Sequence, residues 1–206
     1  MSVRLEICFR RSGDLRYLSH LETVRLWHRA LKRAGLPLHY TEGFNPHPKV
    51  VFWHALPLGA AAEADRIEVT LEYEVDLAGA TCALAEALPP GIEVEEALYV
   101  DAIAPRLGRR YPFAVYVFSG PLPADLLAAA ELERSLERAG IAYESAAVTA
   151  GGAQVKVRLL LDCSGSAPSL KRIAAEVAGF LGCGIESLFI ARTGIYPVRS
   201  NERTAH

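Results

Sequence analysis

The order of its hydrophobic segments constrains this chain more than any other feature. Strand-like segments alternate apolar and polar residues, and helix-like segments repeat apolar residues three and four positions apart. They follow one another as strand, helix, strand, strand, helix, strand, and the second half repeats this order. Two βαββαβ units in series predict an α+β chain with tandem ferredoxin-like domains, each an antiparallel sheet with its helices on one face.

The first half begins with a predicted strand at residues 3–9. Ser19 and Glu22 then form the capping box of a helix that runs to about Ala34. This helix is expected to end at Gly35, because glycine tolerates the left-handed conformation that closes a helix. The other predicted elements are extended segments at 36–40 and 50–54, a strand at 66–72, a helix at 77–88 and a strand at 92–99.

The second half contains four predicted strands and two predicted helices. The strands are at 113–118, 141–148, 154–161 and 185–191, and the helices at 124–139 and 169–181. The halves join in residues 104–110, which are rich in Pro, Gly and Arg and poor in apolar residues. The predicted domains are therefore residues 1–103 and 104–206.

Composition and cysteine spacing exclude several classes of protein. Hydrophobic residues make up 51% of the chain, which is enough for a packed core. We find no signal peptide and no apolar run of the roughly 18 residues that a membrane-spanning helix needs. The four cysteines are far apart, which indicates buried thiols in a reducing compartment. We expect a cytoplasmic protein without a bound metal or cofactor.

Charge is distributed unevenly along the chain. Residues 1–54 contain nine Lys or Arg against four Asp or Glu, whereas residues 55–101 contain one against eleven. This separation predicts a basic surface near the N-terminus and an acidic one within residues 63–101. Compensating ion pairs between surface side chains would also explain it.

The helix at 20–34 carries two kinds of residue on two sides. Apolar residues at helical spacing are predicted to face the sheet: Leu21, Val24, Trp27 and Leu31. Cations collect on the other side without an acid among them: Arg25, Arg29, Lys32 and Arg33. With Arg10, Arg11, Arg16 and Lys49 they predict a surface for phosphate contacts. The alternative is a solvated helix in an arginine-rich protein.

Residues 43–49, GFNPHPK, form a histidine–proline loop of unusual chemistry. Two prolines flank His47 and restrict the backbone on both sides of it. A held imidazole beside Lys49 could contact phosphate, act as a general base or ligate a metal, and Phe44 could stack on a base. The alternative is a rigid turn whose His47 caps a backbone carbonyl.

Five of the six histidines lie within residues 13–59. His20, at the first turn of the helix, and His47 are the candidate catalytic residues, and we expect both to line one concavity. Backbone amides at the helix start would add an anion site there. The spacing of the histidines does not favour a metal, and His28, His39 and His54 are interpreted as structural or peripheral. The predicted nucleic-acid contacts are Arg16, Arg25, Arg29, Lys32, Arg33, Phe44, Asn45, His47 and Lys49.

Four motifs carry a resemblance to a known family. The segments LRYLSHLE (15–22), RALKRAGLPL (29–38), YTEGFNPHPK (40–49) and LPLG (56–59) resemble the radical-SAM-linked protein family of unknown function. Its members occur alone or fused behind a radical SAM protein with a cobalamin-binding-type domain. The resemblance implies a radical SAM enzyme as partner. Such enzymes often modify RNA, so it also agrees with an RNA-binding surface.

These observations predict a non-catalytic accessory protein that binds RNA or presents substrate to a radical SAM enzyme through residues 10–54. One alternative is a metal-independent endoribonuclease of RAMP-like architecture, with His20 or His47 as general base, although the glycine-rich loop of those enzymes is missing at residues 193–196. Another is a protein-interaction module whose acidic residues 63–101 dock a basic partner. The chain has no GxGxxG, GxxxxGK[ST] or CxxxCxxC motif.

Overall fold

The computed structural model describes residues 2–123, 129–164 and 169–197. The predicted start of a helix at residues 124–128 lies outside these ranges. The described residues form eight β-strands and five α-helices, which confirms the predicted α+β class. No described helix is both long enough and apolar enough to span a bilayer. The chain divides into two compact units, Met1–Arg110 and Tyr111–His206.

The N-terminal unit contains four strands and three helices. The strands are β1 (Val3–Arg11), β2 (Val50–Phe52), β3 (Ala61–Leu71) and β4 (Ile92–Val100). The helices are α1 (His20–Arg33), α2 (Leu77–Ala87) and α3 (Leu107–Arg110), and a 3₁₀ helix, Gly13–Tyr17, leads into α1. The strand order is β4-β1-β3-β2, and each neighbouring pair is antiparallel.

The core of this unit lies between one face of the sheet and helices α1 and α2. Its fully buried side chains include Leu5, Ile7, Phe9, Trp27, Leu31, Ile67, Val69, Leu71 and Leu84. The rings of Phe9 and Trp27 meet edge to face with centroids 4.7 Å apart, a favoured aromatic geometry. This packing fixes the rotation of α1 about its axis, and therefore decides which of its residues reach solvent.

The opposite face of β1 and β3 carries buried charge. Glu6 and Glu68 are direct cross-strand partners, and both are buried. Like charges in this position repel unless they are neutralised. Arg4 lies 2.9 Å from Glu68, Arg66 pairs with Glu6, and Arg110 pairs with both carboxylates. Burial alone would raise the pKa of Glu68, but hydrogen bonds from Arg4 and Arg110 hold this pKa below its ordinary value.

These ion pairs also explain where the N-terminal unit ends. The unit extends through Arg110, whereas the sequence places the boundary between residues 103 and 104. Arg4 donates to the carbonyls of Ala104, at 2.8 Å, and Pro105, at 3.0 Å. Arg110 donates to the Pro105 carbonyl at 2.9 Å. Residues 104–110 are thus bound to the first unit and form helix α3 at their end.

The C-terminal unit contains the strands β5 (Phe113–Pro121), β6 (Ser145–Gly151), β7 (Gln154–Asp162) and β8 (Phe189–Tyr196). Its helices are α4 (Ala129–Arg138) and α5 (Leu170–Leu181). The strand order is β8-β5-β7-β6, again with antiparallel neighbours. In both units, therefore, the fourth strand lies beside the first, and the third lies between the first and the second.

Several predicted element bounds are wrong. Strand β3 begins at Ala61 instead of residue 66, and its alanine-rich start gave no strand pattern because alanine is depleted in strands. Residues 185–187 form a 3₁₀ helix instead of the start of the predicted strand at 185–191, and β8 continues to Tyr196. Residues 36–40 make only isolated bridges, at Leu38 and Tyr40.

The cysteines are only partly buried, contrary to the prediction. Cys8 and Cys163 are buried, and burial raises the pKa of the Cys163 thiol to about 11. Cys82 is exposed on α2, and Cys183 is half-buried. Residues 77–88 are largely apolar on all sides of α2, so their composition does not predict which side of the helix is exposed to solvent.

Candidate functional site

Helix α1 positions half of the predicted site residues, and it begins at the predicted capping box. The Ser19 Oγ accepts from the Glu22 amide at 3.3 Å, and the Glu22 carboxylate accepts from the Ser19 amide at 2.8 Å and from its hydroxyl at 2.7 Å. The hydrogen bond from the Ser19 hydroxyl, followed by the one from the Ser19 amide, lowers the pKa of Glu22. The capping box therefore already uses two of the amides at the helix start, those of Ser19 and Glu22.

The buried stripe of α1 differs from the predicted one. The buried residues are Thr23, Trp27, Ala30 and Leu31. Val24 is half-buried, and Leu21, which was predicted to face the sheet, is 57% exposed. Leu21 lies about 120° around the helix from Trp27 at 3.6 residues per turn, so it falls outside a stripe centred on Trp27.

Three arginines at four-residue spacing line a groove on the outer side of α1. The cavity has a volume of about 540 Å³, and its lining residues are Leu15, Leu18, Glu22, Arg25, Leu26, Arg29, Arg33 and Pro89. We call it the arginine groove. Arg25 and Arg29 are exposed at its rim. Arg33 also donates to the carbonyl of Ala87, the last residue of α2, so it has a structural role as well.

Lys32 is not among the residues that line this groove. Its Nζ is 5.5 Å from the ring centroid of Tyr40, within the range of a cation–π contact. The predicted four-cation face is therefore divided. Arg25, Arg29 and Arg33 line the arginine groove, whereas Lys32 faces the segment that leads into the histidine–proline loop.

The histidine–proline loop is held at its base by hydrogen bonds. The Thr41 amide donates to the His47 carbonyl at 2.9 Å, and the His47 amide donates to Thr41 Oγ1 at 3.2 Å. The Lys49 amide donates to the His39 carbonyl at 2.9 Å. Phe44, Asn45 and Lys49 are exposed, with Phe44 fully so.

Two groups lie within hydrogen-bond distance of Nδ1 of the His47 ring. Its Nδ1 lies 3.2 Å from the Asn45 carbonyl oxygen and 3.1 Å from Thr41 Oγ1. A carbonyl oxygen only accepts, so the contact with Asn45 is a hydrogen bond when Nδ1 carries the proton. The Nε2 atom is then the acceptor of the neutral ring. A hydrogen bond from His47 to the Asn45 carbonyl is also what the alternative of a rigid turn with His47 as a cap predicts.

The ring partner of His47 is His28 instead of His20. The two rings stack with centroids 5.9 Å apart and planes inclined by 25°. His20 meets the ring of Phe52 edge to face at 5.5 Å. Residues 20 and 28 are about 12 Å apart along the axis of an α-helix. His20 and His28 therefore contact different residues of the segment 47–52: His20 contacts Phe52, and His28 contacts His47.

Sequence reasoning interpreted His28 as structural or peripheral and missed this contact. The spacing of His20, Val24, His28 and Lys32, each four residues from the next, places them along one side of the helix and could have indicated it. Burial, followed by the nearby His47 and Lys32, lowers the pKa of His28. The neutral imidazole is consequently favoured at position 28.

The other predicted cations have partners of their own. Arg16 donates to the Tyr17 hydroxyl at 2.7 Å, and its guanidinium lies 4.7 Å from that ring. Arg10 pairs with Glu95 at 3.6 Å. Arg11 is only 3% exposed and donates to Thr23 Oγ1 at 3.1 Å, so its predicted place on the basic surface is wrong. Because β1 continues to Arg11, this side chain points into the unit beneath α1.

Metal ligands do not gather in the part of the chain that the structure describes. None of the histidines, cysteines and acids there forms a group of three that could hold an ion.

Comparison with known proteins assigns the chain to a family but gives no activity. Residues 4–178 match the family described as uncharacterized protein conserved in bacteria, DUF2344. No curated protein matches the chain. It is similar to the crystal structure of an unknown protein from Galdieria sulphuraria, with 11% identity, coverage of 96% of this chain and 99% of that one, and a TM-score of 0.28. It is also similar to the crystal structure of a putative glycine cleavage system transcriptional repressor. The identity is 10%, the match covers 96% of this chain and 99% of that one, and the TM-score is 0.26. Scores this low carry no argument about fold or function.

Proposed function

Because the chain belongs to the family of uncharacterized proteins conserved in bacteria, DUF2344, we propose a function from its own residues. We propose that it is a non-catalytic accessory protein that binds RNA and presents it to a radical SAM enzyme. The arginine groove is the observation that supports RNA binding. The enzyme partner is proposed from the resemblance of residues 15–59 to the radical-SAM-linked family.

The chemistry of the arginine groove suits a phosphate-bearing polymer. Arg25 and Arg29 lie one helical turn apart at its rim, and a guanidinium can donate two parallel hydrogen bonds to one phosphate. The apolar side chains of Leu15, Leu18 and Leu26 line the same groove and offer contact to a sugar or a base. A site for a small anion alone would not need that apolar lining.

The stacked histidines support a second candidate, the metal-independent endoribonuclease. In the tautomer above, His47 has an acceptor nitrogen, Nε2, that could take a proton from a ribose hydroxyl. His47 is the stronger candidate for the general base, since His20 contacts Phe52. We rank this function second, because such a base must also be placed beside the scissile phosphate.

We also propose that the two units are tandem ferredoxin-like domains. Their common strand order and antiparallel pairing support this assignment. The order strand, helix, strand, strand, helix, strand along each unit agrees with it.

RNA binding is tested by reversing the charge of the groove. Fluorescence anisotropy with a labelled single-stranded RNA should show binding by the wild type at low salt. The double variant Arg25→Glu, Arg29→Glu should weaken it on the order of a hundredfold, as expected when charged hydrogen bonds are removed. The matched control is Arg134→Glu, Arg138→Glu, the same charge reversal at the same spacing on α4, where acidic residues are interleaved. Equal effects of both variants would refute the groove as the site.

The partner is tested separately by capture from native cells, with the bound RNA and protein both identified. Recovery of a radical SAM enzyme supports the accessory role. Recovery of RNA without such an enzyme would refute the partnership and leave RNA binding standing. If the wild type binds no RNA at low salt, RNA binding fails, and a protein-interaction module that uses the acidic residues 63–101 becomes the better account.

A further inference from the structure

Phe44 is the most exposed large hydrophobic side chain in the part of the chain that the structure describes. It lies at position two of the histidine–proline loop, where its whole ring is in contact with solvent. Single exposed apolar side chains are ordinary on protein surfaces and need no explanation by themselves. The case of Phe44 differs because of the backbone that carries it and the side chains that surround it.

The loop that carries Phe44 is held at its base. Gly43, directly before it, has a φ of +122°, a conformation that other residues rarely adopt. On the other side, the bonds between Thr41 and His47 close the loop, and the ring of His47 stacks on His28 of α1. A loop whose backbone is anchored to a helix loses less conformational freedom when it binds a ligand than an unanchored loop does.

The neighbours of Phe44 are polar and cationic. Asn45, His47 and Lys49 are exposed in the same loop. Lys32 lies over Tyr40 just before the loop. An apolar pocket on a protein partner would be a poor match for these groups. A nucleotide matches them, because it combines a flat base, hydrogen-bonding edges and a phosphate.

We propose that Phe44 stacks on one unpaired base of the bound RNA while Lys49 contacts a phosphate beside it. This inference rests on the proposed RNA binding and names its substrate class: RNA with an exposed nucleotide in a loop, a bulge or a single strand. In an uninterrupted duplex both faces of each base are covered by the neighbouring pairs, so the ring cannot reach them.

The test uses two RNA hairpins that carry the fluorescent base 2-aminopurine, one in the loop and one in the stem. Stacking on an aromatic ring quenches this fluorophore. The wild type should quench the loop probe on binding and leave the stem probe nearly unchanged. Phe44→Ala should weaken binding of a single-stranded RNA roughly tenfold or more, the usual effect of removing a base-stacking ring. Phe44→Trp should restore affinity and quenching, whereas Phe44→Leu, which is apolar without a ring, should not.

Failure of this inference can be told apart from failure of the proposed function. If Arg25→Glu, Arg29→Glu removes RNA binding while Phe44→Ala retains wild-type affinity, the stacking role is refuted and RNA binding stands. Equal affinity of Phe44→Leu and wild type, or equal quenching of both probes, also refutes it. Loss of the radical SAM enzyme from captures made with Phe44→Ala, at unchanged RNA affinity, would identify Phe44 as a protein anchor. Absence of any RNA binding by the wild type overturns both proposals.

Discussion

The imidazole rings of His28 and His47 stack with centroids 5.9 Å apart, although 19 positions separate them in sequence. One belongs to the middle of α1 and the other to the histidine–proline loop. The contact joins the loop that carries Phe44 to the helix that carries Arg25 and Arg29. We infer that it helps to hold the loop against the helix.

The lowered pKa of His28 predicts that acid destabilises the protein through this residue. Its folded-state pKa lies below the ordinary value of about 6.5, so the unfolded chain takes up the proton first as the pH falls. The favourable contribution is complete above that ordinary value and is lost as the pH falls through the folded-state pKa. Urea unfolding at pH 7.5 and pH 5.5 should show a larger loss of stability for the wild type than for His28→Gln. An equal or larger loss in His28→Gln would contradict this expectation.

Removal of Arg110 should destabilise the N-terminal unit strongly. Arg110 pairs with Glu6, which is 1% exposed, and with Glu68, so its removal leaves two buried carboxylates with fewer positive partners. Arg110→Ala should lower the free energy of unfolding by about 3 kcal/mol, as for other broken buried ion pairs. Arg109→Ala is the control, because Arg109 is the exposed neighbour on the same helix. Equal urea midpoints for the two variants would show that the buried pairs contribute little.

His47→Ala separates the accessory role from the nuclease role. As an accessory, the wild type leaves RNA intact, and the variant binds RNA less tightly because the loop is no longer anchored to His28. As a nuclease, the wild type cleaves RNA, and the variant loses a hundredfold or more of its rate, as expected for a missing general base. Gel analysis of labelled RNA after incubation without metal decides between them. His20→Ala is the comparison, and a selective loss of cleavage there would contradict our choice of His47.

Local sequence signals predicted the parts of the fold that depend on neighbouring residues. The capping box of Ser19 and Glu22 formed as expected, because its two hydrogen bonds join residues three positions apart. Gly35 follows the helix with a φ of +68°, as a residue that closes a helix should. Alternation located most strands, since the side chains of a strand point to opposite faces in turn.

Contacts between distant segments could not be predicted in this way. The rotation of α1 is fixed by the packing of Trp27 against Phe9, and in this rotation Leu21 is exposed to solvent. In the same rotation Lys32 lies over the ring of Tyr40 and is not among the residues that line the arginine groove. The stacking of His28 on His47 also depends on how residues 39–52 lie along the helix, and the sequence of that segment carries no periodic signal.

The salt dependence of RNA binding tests the central claim most directly. Binding of a single-stranded RNA should weaken linearly on a plot of log K against log salt, because phosphate contacts release counterions. Removal of both groove charges in Arg25→Gln, Arg29→Gln should reduce the magnitude of the slope by about 1.4, that is about 0.7 for each phosphate of a single strand that the protein no longer neutralises. The control Arg134→Gln, Arg138→Gln should retain the wild-type slope. A wild type that binds no RNA, or groove and control variants with the same slope, would contradict the assignment of the arginine groove as an RNA-binding site.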